Sequence, residues 1–378
     1  MKIASELAWA NITHNLARTA AGVSGVAFAI VLLFMQLGFY DTSYRSSTMV
    51  YDQLAFDIVL RSPQFAHLRA PGTIPLRRLY QAQAIPGVAA AMPLYVGNGV
   101  YQEPRTHLRH EVIVLAVDPR TEPFALPALA ANGRRLAEDD TAIMDAATRL
   151  DYEPIRVGAN CEIENRRIAI IATYRYGTGF VGDASVFVGD QTFSRMFGNY
   201  PLSDVSLGLV KLLPGADRDA VVSELRARLP DDVDVLPRRA LEAGEQRLWV
   251  RVRPVGVMFS SGVVLALCVG MVIVYQILSS EITNRLKEYA TLKAMGHEFS
   301  FIRQVVLRQA FIYVILGGVP ATFLAYGLYY GLQRATNLPM VMTAPRLVLV
   351  SLLATGMAVG AALLAIQRVS RTDPADLF

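Results

Sequence analysis

The chain has 378 residues, 53% of them hydrophobic and 18% charged, with a formal net charge of +4 and a pI near 9.0. Soluble domains average about 25% charged residues, so this balance is shifted away from an ordinary soluble protein, though not as far as in a wholly embedded one, and suggests membrane segments mixed with folded soluble mass. The basic excess is assigned to membrane edges and anionic headgroups, not to nucleic acid, and the two isolated cysteines, Cys161 and Cys268, are expected to form neither a disulfide nor a structural zinc site.

Residues 1–18 read as a cytoplasmic N-terminal segment that lies on the membrane surface, with Trp9 as its interfacial anchor. Residues 19–40 carry no charge until Asp41, enough for a first spanning helix of ~20 residues. The run is too long for a signal-peptide core, and Gly38-Phe39-Tyr40-Asp41 is a poor cleavage site, so the helix is read as retained. Residues 41–253 form a large soluble region. Five short β-branched stretches predict strands: Phe56–Leu60, Glu111–Val117, Arg167–Thr173, Ser185–Val188 and Val205–Val210. Pro75–Ile85 and Asp217–Leu229 predict helices, the second from the shared face of Val221, Val222, Leu225 and Leu229. Thr42–Leu54 and Arg239–Val252 are helix-compatible and lack the Gly/Ser character of a tether, so they are expected to extend the neighbouring spans as a stalk.

Three further uncharged runs follow, at 254–280, 309–333 and 347–367. They predict spans two to four, joined by an inner loop at 281–308 and a short outer loop at 334–346, with a tail at 368–378. The fold class is therefore four transmembrane helices with a large α+β extracytoplasmic domain inserted between helices 1 and 2. Glycines recur in the spans, including the GxxxG of Gly356 and Gly360, and read as ordinary close packing. Pro320 is expected to kink the third span. Lys and Arg concentrate in the N-terminal segment (Lys2, Arg18), the 281–308 loop (Arg285, Lys287, Lys293, Arg303, Arg308) and the tail (Arg368, Arg371). The positive-inside rule puts these in the cytoplasm and the soluble domain in the periplasm, in a multi-pass protein of the cell inner membrane.

Motifs for chemistry are missing. There is no GxxxxGK[ST] phosphate loop and no G-x-S-x-G elbow. His107, His110 and Glu111 match no metal-protease spacing. Asp139-Asp140 and Asp231-Asp232 read as turns. The predicted spans hold no ionisable residue, which argues against proton-driven transport. The chain is not expected to be an enzyme, and no catalytic or metal-binding residue is assigned.

The loop after span two is the most informative stretch. Ile282, Leu286, Tyr289 and Leu292 share a helix face, Glu281 and Arg285 form an i,i+4 pair, and Gly296 ends the helix. Arg285-Leu-Lys-Glu-Tyr-Ala-Thr-Leu-Lys-Ala-Met-Gly296 resembles the loop segment of FtsX/MacB-like ABC-transporter permeases, and Arg371-Thr-Asp-Pro-Ala-Asp376 resembles their tail. Phe34–Phe39, Gln53–Leu60, Arg77–Ala82 and Met92-Pro-Leu-Tyr95 resemble the DevC-type permease of a tripartite exporter. The resemblance covers nearly the whole chain. It implies a separate ABC ATPase carrying ATP and magnesium, a permease homodimer, a periplasmic adaptor and a TolC-like outer-membrane channel. It also implies a coupling helix at the ATPase, with Leu292 filling a groove, Glu288 and Lys293 setting register and Gly296 closing it. An inserted subdomain is expected near 118–200. Two related roles stay open: an FtsX-like regulator of a cell-wall hydrolase, and a lipoprotein-releasing permease.

Overall fold

A computed structural model describes residues 9–10, 12–103, 107–147, 155–175, 184–249, 254–285, 288, 299–336, 338 and 340–370. Two compact units emerge. One gathers Met1–Asp41, Val257–Gly331 and Met340–Phe378, and the other Thr42–Gly256 with Leu332–Pro339.

The first unit is helical. Its helices are α1 (Leu16–Ser46), α6 (Pro254–Asn284), α7 (Phe299–Thr336) and α8 (Ala344–Ser370). All four are long and apolar enough to cross a membrane. At 31 residues, α1 rises about 46 Å at 1.5 Å per residue, well beyond the ~30 Å hydrocarbon core. Each helix thus outruns its predicted apolar run, because an α-helix continues through flanking polar residues while its backbone bonds are satisfied. Phe28, Leu265, Phe323 and Leu352 stand exposed on the four helices, which in a bilayer places apolar surface against lipid. The helix of α7 runs through Pro320 without interruption.

The second unit is α+β. Among the described residues eleven strands are laid down in order: β1 (Ile58–Arg61), β2 (Ile74–Pro75), β3 (Val88–Gln102), β4 (Arg109–Val117), β5 (Thr141–Asp145), β6 (Asn160–Ile163), β7 (Arg166–Tyr174), β8 (Ala184–Gly189), β9 (Asp204–Val205), β10 (Leu207–Leu212) and β11 (Asp234–Pro237). The main sheet has the order β11-β1-β10-β3-β4-β8-β5-β7-β6, and β6 also pairs with β3. Six strands therefore close into a ring, which removes the edges that an open sheet would leave. β3 belongs to both halves. Its first part pairs with β10 and its second with β4. The sequence-predicted insert at 118–200 contains β5 to β8, while the ring they complete also uses β4 and the end of β3.

Strand β4 explains why some strands read as unbroken apolar runs. Val112, Val114 and Ala116 enter one core, and Ile113, Leu115 and Val117 enter another on the opposite face. With side chains alternating at period two, burial on both faces demands apolar residues throughout. Helices α2 (Arg77–Gln83), α3 (Asp190–Met196) and α4 (Arg218–Arg228) cover the first core with Leu79, Phe193 and Leu225. Asp217 caps α4, accepting from the backbone N–H groups of Asp219 at 2.9 Å and Ala220 at 3.3 Å. Helix α5 (Arg238–Arg247) sends Leu241 into the second core.

The acidic pairs are structural. Asp139 and Asp140 lie in the turn before β5, and Arg195 of α3 reaches Asp139 at 2.7 Å while Arg166 of β7 reaches Asp140 at 3.2 Å. Asp232 accepts from Nε and Nη2 of buried Arg78, the closest at 2.6 Å, and this guanidinium holds its carboxyl below the ordinary value.

Candidate functional site

Two places combine buried polar groups with a position where the chain changes direction. The first lies in the helical unit, where α1 begins and α6 ends. Asn15 caps α1 by accepting from the Arg18 N–H at 3.1 Å. Glu281, in the last turn of α6, is only 6% exposed and accepts a hydrogen bond from the Tyr313 hydroxyl of α7 at 2.7 Å. A cleft of about 170 Å³ opens here, lined among others by His14, Arg18, Asn284 and Arg285.

This geometry corrects the sequence expectation in two respects. Glu281 turns inward and accepts its hydrogen bond from Tyr313, while the guanidinium of Arg285, still close enough to act on Glu281 electrostatically, also pairs with Glu288 at 3.2 Å. The helix of the second span also continues past its uncharged run and takes an ionisable residue into the packed interior, where such groups need a named partner. Of the predicted coupling residues, Glu288 is exposed and held by that ion pair. Leu292, Lys293 and Gly296 lie outside the described residues, as do Leu286 and Tyr289. Trp9 is 53% exposed. Among the described residues no three His, Cys, Asp or Glu side chains converge as metal ligands. Glu111 pairs with Arg69 at 2.8 Å.

The second place is in the soluble unit, where its incoming segment meets its outgoing helix. Glu245 of α5 is 2% exposed. One of its oxygens accepts from the Tyr51 hydroxyl at 3.1 Å and from the Leu68 N–H at 2.7 Å. Burial pushes its carboxyl above the ordinary value, opposed by these hydrogen bonds. Arg238, at the start of the same helix, reaches Asp52 at 2.8 Å and the Leu54 carbonyl at 3.2 Å. Its own N–H bonds the Asp57 carbonyl at 2.9 Å, and its guanidinium lies over the Phe56 ring. Residues 51–57 and 238–245 are therefore clamped by two side chains from one helix. In the sequence Glu245 is hidden among charged neighbours. The usable signal was Leu241, one turn earlier on the same face.

The comparisons fit this two-unit plan. The MacB-like periplasmic core domain family matches residues 19–228, and the FtsX-like permease C-terminal family matches residues 260–374. The first match alone spans more than half the chain, and the chain belongs to the FtsX/MacB-type permeases. It is a multi-pass membrane protein in which one N-terminal and three C-terminal apolar helices flank a large α+β domain. The ABC transporter permease YtrF of Bacillus subtilis (strain 168) is 26% identical over 164 residues, 43% of this chain and 36% of YtrF. The match thus spans little more than a third of that relative's length. The periplasmic region of MacB from Actinobacillus actinomycetemcomitans is similar at 7% identity and a TM-score of 0.37, covering 51% of this chain and 94% of that one. The extracellular domain of the ABC-type transporter YknZ from Gram-positive bacteria is similar at 12% identity and a TM-score of 0.35, covering 48% of this chain and 98% of that one.

Proposed function

We propose that this chain is the membrane subunit of an ATP-driven tripartite exporter of the DevC type. It works as a homodimer beneath which two copies of a separate ABC ATPase bind ATP and magnesium. ATP-driven closure is transmitted through the inner loop and the spans to the periplasmic domain. That domain then drives substrate through a periplasmic adaptor and a TolC-like outer-membrane channel. The observation that carries this reading is the union in one chain of a MacB-like core and an FtsX-like C-terminal region. The sequence also lacks a phosphate-binding loop, so the nucleotide chemistry is assigned to a partner.

Leu292→Asp tests the coupling segment. A carboxylate in the ATPase groove is expected to abolish the stimulation that the permease confers on ATP hydrolysis, while membrane insertion and chain yield stay unchanged. Full stimulation in the variant would remove Leu292 from the interface. An adjacent gene for an adaptor with a long hairpin supports export, whereas a peptidoglycan hydrolase there would favour the FtsX-like regulatory role.

A further inference from the structure

The cleft of about 170 Å³ beside Glu281 is lined by polar side chains from two helix ends. The start of α1 supplies Arg18 and the capping Asn15. The end of α6 supplies Glu281 and Asn284, with Arg285 and Glu288 just beyond it. The two ends carry opposite partial charges, positive where α1 begins and negative where α6 finishes. Two arginines and two glutamates line the cleft, so their formal charges cancel.

One oxygen in this wall lacks a donor. Glu281 is 6% exposed, and its Oε1 accepts from the Tyr313 hydroxyl at 2.7 Å. Its Oε2 is buried and receives no hydrogen bond from any described residue. Arg285 and Arg18 act on the carboxylate through space without donating to that oxygen. Thr19, on the α1 wall, donates its hydroxyl to the Ile12 carbonyl instead. A buried carboxylate oxygen without a donor is costly, so the site suits a ligand that brings a polar hydrogen to it. The charge balance adds a second condition. A ligand that is only an anion or only a cation leaves one charge uncompensated, whereas a zwitterion leaves none.

The height of the cleft adds a third. Helices α1 and α6 each have 31 residues, about 46 Å at 1.5 Å per residue. This matches the ~40–45 Å of a bilayer with its headgroups, so the helix ends that line the cleft lie at headgroup level. We propose that the cleft binds the phosphoethanolamine headgroup of a phospholipid. The phosphate lies at the α1 end, against Arg18 and the helix N-terminus. The ammonium donates to Glu281 Oε2 at the α6 end. A choline headgroup has no N–H to donate, and a glycerol headgroup adds a net negative charge. The proposal requires only that α1 and α6 cross a membrane, and it stands apart from the export reading.

Native mass spectrometry of the full chain in detergent tests it. Phosphatidylethanolamine, phosphatidylcholine and phosphatidylglycerol with matched acyl chains are offered in equal amounts. The ethanolamine lipid is expected to be retained about tenfold over each of the others, the worth of one hydrogen bond between charged groups. Glu281→Gln keeps an acceptor for Tyr313 but replaces Oε2 by an amide that donates, so the preference for ethanolamine over choline should vanish. Arg18→Gln is the second variant, because the Arg18 side chain is exposed and its loss leaves the helix packing intact. It should lower retention of the ethanolamine lipid by a similar factor. Equal retention of the headgroups by the wild-type chain would leave Oε2 to water and overturn the proposal. So would an unchanged preference in Glu281→Gln or unchanged retention in Arg18→Gln. Free phosphoethanolamine at the same concentration separates a soluble source of this group from the lipid. The lipid is expected to stay bound, and its displacement would overturn the lipid as the ligand.

Discussion

Replacing Glu245 with Ala is expected to destabilise the soluble unit by about 3 kcal/mol, since it leaves the Tyr51 hydroxyl and the Leu68 N–H buried without an acceptor, at about 1–3 kcal/mol for each such group. The loss should read out as faster amide hydrogen exchange across residues 49–70 in the full chain, ahead of exchange in β3 and β4. Unchanged exchange there would remove Glu245 from the clamp. Gln in the same place keeps an oxygen acceptor for both donors but puts an amide NH2 at the buried Oε2 position, so it is expected to recover only part of the loss.

The pair Glu245→Ala and Glu245→Gln also separates hydrogen bonding from charge. Burial raises the folded-state value of the Glu245 carboxyl above its ordinary 4.5. The folded chain then holds this proton more tightly than the unfolded chain. Its contribution is fully present below the ordinary value and is lost as pH rises through the elevated one. Wild type should therefore lose stability over that window, and Glu245→Gln should lack this component. Equal pH slopes in both proteins would contradict the assignment.

Arg346→Ala is the second large effect. It takes the guanidinium away from the Asp41 carboxylate at the end of α1 and removes the cation from the Tyr329 ring. Breaking a buried pair typically costs about 3–5 kcal/mol. The Asp41 side chain is 31% exposed, so water recovers part of that, and a loss of about 3 kcal/mol is expected. The thermal midpoint of the full chain in detergent should fall accordingly. Arg346→Lys keeps the charge but loses the planar fork that serves Asp41 and the Val341 carbonyl together, so it should recover only part of the loss. An unaltered midpoint in Arg346→Ala would mean that α8 is held by apolar contacts alone.

The four spans were legible because an uncharged run of ~20 residues has few other uses. Several strands were legible for a related reason: Glu111–Val117 is buried on both faces and so wholly apolar after its first residue. By contrast, β3 gave little sign of itself. Its Ala89-Ala90-Ala91 run, Pro93, Gly97 and Gly99 suppress both strand propensity and alternation. The structure supplies a reason for one of them, since a Cβ on Gly97 would collide with the rings of Phe197 and Phe193 that roof the strand. The closure of β6 onto β3 could not be read, because it depends on register between segments far apart in sequence. The buried acids escaped for the same reason. Glu281 and Glu245 look like solvated helix residues until a tyrosine from another segment is brought to each. Arg346 read as an outer-loop charge, and only the fold pairs it with Asp41.

The proposed function rests on one proposed topology, with the soluble unit on one side of the membrane and the basic 281–308 loop on the other. A reporter active only outside the cytoplasm, fused near Asn160 in the intact chain, measures this directly. The account predicts full activity there and none when the same reporter is placed at Lys293. Activity at Lys293 and silence at Asn160 would invert the topology and detach the ATPase from its proposed docking segment.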